Sequence, residues 1–257
     1  MKKVLTIAGS DPSGGAGIQA DLKTIAAHRL YGMSVITSLT AQNTCGVYGI
    51  LNIPPEFVAS QIDCIFDDIR PDSVKIGMVS ECDIINIIAD KLEEYDAKNI
   101  VADTVMVSTS GCRLLSEDAV DTLSKRLFPL ADIVTPNLPE AEVLSGISIK
   151  SKEDMQKAAV IISKNFGGAV LIKGGHLADS ADDLLFENDF FDWLSLPRID
   201  NPNTHGTGCT LSSAIACGLA EGLSVSDSVK RAKKYVNGAI ADRLDLGRGR
   251  GPLNHMY

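Results

Sequence analysis

The sequence predicts an α/β fold in which a mostly parallel sheet carries helices on both faces. Two observations predict it. Short runs rich in β-branched and aliphatic residues alternate with longer segments of helical period, the signature of a layered α/β domain. Glycine-rich turns also fall where a strand ends and a helix begins, the place where such folds bind ligands. Strands are predicted at Val4 to Ala8, Ser34 to Leu39, Ser73 to Ile76, Asn99 to Ala102, Ile133 to Thr135 and Ala169 to Ile172. A helix is predicted to run through Asp21 to about Leu30. Apolar residues at 58, 62, 65, 66 and 69, and again at 155, 158, 159, 162 and 166, each trace one face of a core-facing helix. Small residues from Leu211 to Glu221 predict a closely packed helix. Ser224 with Asp227 forms a capping pattern before a stripe of Val225, Val229, Ala232, Val236 and Ala239 that runs to about Asp242. Asp183 to Glu187 and Phe190 to Leu196 flank Asn188-Asp189 and predict a hairpin at an antiparallel sheet edge. With no linker, repeat or low-complexity segment, one domain over residues 1–257 is the simpler count.

Bulk composition narrows the function. A net charge of −9 argues against a protein that coats nucleic acid, since such proteins neutralise phosphates with clustered Lys and Arg. Any phosphate ligand is expected to be held locally. Cys45, Cys64, Cys82, Cys112, Cys209 and Cys217 form no CxxC pair, and His28, His176, His205 and His255 show no ligand spacing, so a zinc site or disulfide framework is a poor reading. Free thiols suit a reducing cytosol. The apolar run Val4 to Ala8 is stopped by Gly9-Ser10-Asp11, too short for a signal-peptide core or a membrane span. The expected location is the cytoplasm, with no membrane partner.

The first glycine-rich turn, Gly9 to Gly17, follows the first strand. It is not a Walker A loop, because Gly14 is followed by Gly15 and Ala16 instead of Lys and Ser or Thr. Gly15 to Ala20 does satisfy GxGxxA, but Ser34 to Thr44 holds no acidic residue to grip a ribose, which weakens a dinucleotide reading. A tight βα turn with no ligand is the plain alternative.

The second turn, Asn203 to Thr210, opens the small-residue helix. Gly206, Thr207, Gly208 and Cys209 would offer unsatisfied N–H donors at the positive end of a helix dipole, an anion hole suited to a transferring phosphoryl group. The bland reading is a tight turn with Cys209 as a small buried residue, although a helix N-terminus lowers thiol pKa. Further on, Thr135 to Glu140 and Leu171 to His176 fall at strand ends. Lys173 could touch a phosphate, and Asn137 with Glu140 could hold a hydrated Mg²⁺, whose protein contacts are usually one or two oxygens. Taken singly, each is more often a solvated loop residue or helix cap.

Taken together, GSDPSGGAGIQADLKT from Gly9, AQNT from Ala41, KIGM from Lys75, DTVM from Asp103, TPNLPEAE from Thr135, KGGH from Lys173, NTHGTGCTLSSA from Asn203 and GRGRGPLNH from Gly247 closely resemble the hydroxymethylpyrimidine/phosphomethylpyrimidine kinases of thiamine biosynthesis. The motifs are ordered and cover nearly the whole chain. The resemblance implies a ribokinase-like three-layer α/β/α sandwich that uses MgATP. It implies phosphorylation of 4-amino-5-hydroxymethyl-2-methylpyrimidine, and then of its monophosphate to the diphosphate. Gln42 would hydrogen-bond the aminopyrimidine, with Asp21, Gly9 and Met78 around it. A primary amide pairs well with an exocyclic amine and a ring nitrogen together. Gly206 to Cys209 would form the anion hole, with Cys209 where many sugar kinases of the superfamily carry an aspartate base. That leaves open whether Cys209 is a base or only shapes the pocket. Lys173 and Asn137 would face ATP, while Asp103 and Glu140 would support Mg²⁺. Relatives are commonly homodimers.

The nearest rival is a pyridoxine/pyridoxal kinase, whose members share some of these motifs but tend to carry an apolar residue where this chain has Gln42. A nucleotide-binding module without turnover is the rival from another class.

Overall fold

The computed structural model describes residues 1–106, 117–175 and 182–257. Strands β1 (Lys3–Ser10), β2 (Tyr31–Asn43), β3 (Gly46–Asn52), β4 (Ser73–Ile76), β5 (Ile100–Ala102), β6 (Ile133–Val134), β7 (Ala169–Ile172), β8 (Asp183–Glu187) and β9 (Phe190–Leu194) form one nine-stranded sheet. Its order is β3, β2, β1, β4, β5, β6, β7, β8, β9. The pairs from β2 through β7 are parallel. Both edges are antiparallel, β2 with β3 and β7 with β8 and β9. The second of these edges is the hairpin that Asn188-Asp189 predicts, and both turn residues hold positive φ.

Side chains alternate across the sheet as the pleat demands. Leu5, Ile7, Ile100, Val134, Val170 and Ile172 join one buried cluster, while Val4, Val101, Ile133 and Leu171 join the other. The first cluster is closed by α2 (Pro55–Asp68), α3 (Cys82–Glu94), α4 (Glu117–Thr122), α5 (Leu138–Ser145) and α6 (Lys152–Phe166). The second is closed by α1 (Gly17–Ala27), α7 (Thr207–Ala220) and α8 (Val225–Ala241). These are the three layers expected of the fold.

Local chemistry sets the helix ends. Ser151 caps α6 by accepting from the Asp154 N–H, Glu153 and Asp154 fill its first turn, and Gly167 closes it in the left-handed region at φ 91°. Ser224 caps α8 in the same way through the Asp227 N–H. The α7 segment has buried side chains from Thr210 through Ala220 because its alanines, serines and glycine let it pack against both α1 and α8.

Several elements depart from the sequence expectation. Helix α1 begins at Gly17, ahead of Asp21, and stops at Ala27. Strand β2 runs on to Asn43 and turns back as β3, a strand the patterning misses because Tyr48, Ile50 and Leu51 are apolar yet exposed. Helix α3 has no counterpart among the predicted elements, although Ile84, Ile85, Ile88 and Leu92 make a fully helical stripe and are buried. Each such side chain contributes about 1.5–3 kcal/mol through burial.

The parallel strands all deliver their carboxyl ends to one rim of the sheet. Strand order reverses around β1, so the switch point falls beside β1 and β4, where α/β sheets form a ligand crevice. Gly9 to Gly17 and Gly77-Met78 lie at that crevice, and the ends of β5, β6 and β7 bring Asp103, Asn137 and Lys173 to the same rim.

Candidate active site

Helix α7 starts at the rim. Its N-cap, Gly206, sits at φ 82°, a conformation that L side chains avoid, and a Cβ there would lie 1.8 Å from the Gly15 carbonyl oxygen. Glycine is therefore required for the first glycine loop and the second to meet. No side chain caps α7 and its first turn carries no acidic residue, so its dipole end is left for an anion from outside the helix. Thr207 turns its hydroxyl back to the Thr204 carbonyl at 2.8 Å. Gly208 provides close access: a Cβ there would lie 3.4 Å from Lys173 Nζ and 3.5 Å from Asp103 Oδ2.

Lys173 and Asp103 form an ion pair at 3.2 Å beside that helix start. The Asp103 carboxylate is buried and also accepts from Thr135 Oγ1 and Ser212 Oγ. Burial opposes its charge, but Lys173, Lys75 and these hydrogen bonds prevail and hold it below the usual carboxylate range. Lys173 is likewise held above its ordinary value, its burial outweighed by Asp103 and Glu140.

Asn137 and Glu140 make a complete capping box on α5: Asn137 Oδ1 accepts from the Glu140 N–H, and Glu140 Oε2 accepts from the Asn137 N–H. Glu140 also accepts from Thr104 Oγ1 and from the Met106 N–H, and burial raises its pKa. These two residues thus serve the helix first. Glu140 suits a water of a hydrated ion better than direct ligation. No cage of three His, Cys, Asp or Glu side chains occurs among the described residues. That donor set fits Mg²⁺, which keeps most of its waters and takes one or two carboxylates alongside substrate phosphates.

On the other side of the crevice, a Cβ on Gly9 would lie 2.7 Å from Ser38 Oγ and 3.0 Å from Met78 Cε. Ser38 Oγ is buried and has no hydrogen-bond partner among the described residues. Gln42 is half-buried on β2, near Thr40 Oγ1 and the ring of His205. Asp21, expected to line this pocket, has no exposed surface. It accepts from Thr6 Oγ1, Lys75 Nζ and Ser213 Oγ and supports the crevice from beneath. Sequence patterning did not single out Lys75, Asp11, Thr40 or His205 for a role. Three of them stand inside the quoted motifs, but only the fold shows that they meet.

Cys209 sits in the first turn of α7, its role left open between a base and a wall of the pocket. Burial of its thiol, reinforced by Asp21 and Asp103, pushes the pKa up to about 11 despite Lys75 and the helix N-terminus. The thiol is neutral near pH 7. His176, and most of the segment from Gly174 to Asp183, lie outside the described residues.

The family model described as phosphomethylpyrimidine kinase matches residues 11–254. The chain belongs to that family. A thiamine biosynthesis bifunctional protein ThiED of Geobacter sulfurreducens is 51% identical over 98% of this chain, which spans 52% of that protein's length. The hydroxymethylpyrimidine/phosphomethylpyrimidine kinase of Salmonella typhimurium is 47% identical over 98% of this chain and 97% of that one. Among solved structures, a phosphomethylpyrimidine kinase from Clostridium difficile superimposes with a TM-score of 0.84 at 46% identity, over 93% of this chain and 100% of that chain. The pyridoxal kinase of Staphylococcus aureus in complex with AMP-PCP and pyridoxal gives 0.92 at 36% identity, over 100% and 94%. The fold is ribokinase-like, and the family's members are phosphotransferases.

Proposed function

We propose that the chain transfers the γ-phosphoryl group of ATP to the hydroxymethyl oxygen of 4-amino-5-hydroxymethyl-2-methylpyrimidine, and a second phosphoryl group to the resulting monophosphate. The observation that carries this reading is the place of Gln42, a half-buried amide on the same rim as the α7 anion hole. The amide recognises the ring, and the uncapped helix start receives the phosphoryl group. Lys173 neutralises charge on the phosphates, and Asp103, with Glu140 behind a water, would hold Mg²⁺. When bound, Mg²⁺ supplies charge neutralisation of the phosphate oxygens. The substrate oxygen forms its bond to phosphorus as the bond to the ADP oxygen breaks. A loose transition state leaves the hydroxyl proton bound until late, consistent with a neutral Cys209 that shapes the pocket.

A pyridoxal kinase is the second reading, favoured by the superposition on the Staphylococcus aureus enzyme. The deciding experiment is MgATP consumption by the purified protein with hydroxymethylpyrimidine, its monophosphate or pyridoxal as acceptor. Turnover with both pyrimidines and little with pyridoxal supports the first reading; preference for pyridoxal rejects it. Replacing Gln42 with Met should weaken pyrimidine use far more than ATP binding.

A homodimer and a cytoplasmic location complete the reading. No described helix is long and apolar enough to cross a membrane. Exposed Tyr48, Leu51 and Phe57 beside the β2–β3 edge offer a surface for a second copy, and sedimentation tests it.

A further inference from the structure

The proton inventory around Gln42 restricts which way its amide faces. His205 is buried, with Nε2 2.8 Å from Asp11 Oδ2 and 3.4 Å from Gln42 Nε2. Asp11 is itself fixed: Oδ1 accepts from the Ser13 N–H and hydroxyl, and Oδ2 accepts from the Ala16 N–H. A carboxylate only accepts, so the 2.8 Å contact requires a proton on His205 Nε2. Burial works against the Asp11 charge, but His205 and Ser13 outweigh it and keep the group ionised, which agrees. Gln42 Nε2, also a donor, would then face an N–H.

The opposite end of the amide has the same conflict. Thr40 Oγ1 has one proton and lies 2.9 Å from the Ser10 carbonyl oxygen and 3.2 Å from Gln42 Oε1. A carbonyl only accepts, so the proton goes to Ser10 at the shorter distance, and two oxygens that cannot donate are left facing each other. A half-turn of the amide resolves both conflicts together. Its oxygen then shares the His205 Nε2–H as the longer, second acceptor beside Asp11 Oδ2, and its nitrogen donates to Thr40 Oγ1.

We propose that His205 and Thr40 are positioning residues that lock the Gln42 amide with its oxygen towards His205 and its nitrogen towards Thr40, and so set the ring donor and acceptor pattern the pocket takes. This rests on the reading of Gln42 as the pyrimidine-binding residue. The locked amide keeps one free N–H and one lone pair. An aminopyrimidine meets them with its exocyclic amine on the His205 side and its ring nitrogen on the Thr40 side. The 4-oxo counterpart presents an acceptor and a donor in the reverse order, and an amide that cannot turn rejects it.

Two measurements test the lock. The His205 tautomer in the ligand-free wild-type protein, read from ring nitrogen chemical shifts, needs no substrate; the Nε2–H form, or the doubly protonated ring, is expected. Calorimetric Kd values for the aminopyrimidine alcohol and its 4-oxo counterpart give the discrimination ratio. That ratio should fall about tenfold in His205→Leu, the size expected of one misplaced buried hydrogen bond, and stay near wild type in His205→Gln, whose amide can donate to both Asp11 and Gln42. An Nδ1–H tautomer, or an unchanged ratio in the leucine variant, overturns the proposal. Should His205→Leu fail to fold, Thr40→Val, which removes the acceptor for the amide nitrogen, takes its place: the ratio should fall there too, and an unchanged ratio overturns the proposal. Failure of the underlying reading looks different: Gln42→Met would then lose pyrimidine and ATP binding equally.

Discussion

Lys75 Nζ lies 2.8 Å from Asp21 Oδ2, and neither side chain is exposed to solvent. The pair ties β4 to α1 directly beneath the crevice, and Ser213 of α7 donates to the same carboxylate. Burial disfavours the ammonium, but the carboxylates of Asp21 and Asp103 more than offset it and keep Lys75 charged. Removing one partner leaves an uncompensated buried charge, so Lys75→Met is expected to destabilise by about 3–5 kcal/mol. The double variant with Asp21→Asn should cost clearly less than the sum of the two single changes. Urea unfolding of the set is the check; additive losses would show that the two charges are not coupled.

Gly206 is a position where backbone conformation and close approach both demand glycine. An alanine there adds strain of about 1–2 kcal/mol at positive φ and drives a methyl into the Gly15 carbonyl. Gly206→Ala should lower turnover by about a hundredfold or more, as expected when oxyanion-type donors are displaced. Its melting temperature should fall as well. A variant that is destabilised but keeps near-normal kcat would place the anion hole elsewhere.

Cys209 is expected to behave as an unreactive thiol. With its pKa pushed up to about 11, less than one part in a thousand is thiolate at pH 7 by simple titration. Iodoacetamide should modify it far more slowly than the exposed Cys45 and Cys64. Cys209→Ala should retain kcat within about tenfold, below the range typical for loss of a general base. Fast alkylation with concurrent loss of activity would restore the base assignment.

Much of this architecture is legible in the residues themselves. The strands at Ser73–Ile76 and Ala169–Ile172 match the structure end to end, the second because a fully buried strand reads as a continuous apolar run. The capping of α8 by Ser224 depends on local spacing alone. What stays hidden is non-local. Strand β3 has no buried apolar face to announce it. Asp21 sits within a binding motif, yet its carboxylate is taken by Thr6, Lys75 and Ser213, which come from three different elements. Asn137 and Glu140 show both sides: their spacing signals a capping box, and only the fold shows how fully that cap and Thr104 occupy the carboxylate.

His255 gives the acid limb of stability. Burial, with Lys23 nearby, lowers its pKa from 6.5 to about 4, and Thr210 Oγ1 lies 3.0 Å from its Nε2. Because the folded value lies below the unfolded one, the unfolded chain binds the extra proton between those two values. Stability from this group is therefore complete above about pH 6.5 and is lost as pH falls towards about 4. The expected loss is on the order of 3 kcal/mol. His255→Gln should flatten the unfolding free energy over that window; an unchanged slope would assign it to other groups.

The Lys173–Asp103 pair links charge at the rim to pH-dependent activity. Asp103 stays ionised against its burial mainly through Lys173, with Lys75 and Thr135 adding to the effect. If Lys173 faces the ATP phosphates as proposed, replacing it with Met should raise KM for MgATP by about tenfold or more, the scale of a lost charge-assisted hydrogen bond. It also leaves Asp103 with less opposing charge, so the carboxylate protonates at a higher pH than before. The acid limb of kcat/KM for MgATP should consequently move to higher pH in Lys173→Met and return towards wild type in Lys173→Arg, which keeps the charge. Thr135→Val, which removes only a neutral donor at 3.1 Å, should shift the same limb less. If the limb stays fixed while KM rises, Lys173 acts on the phosphates alone and Asp103 is not the group whose ionisation the MgATP step requires.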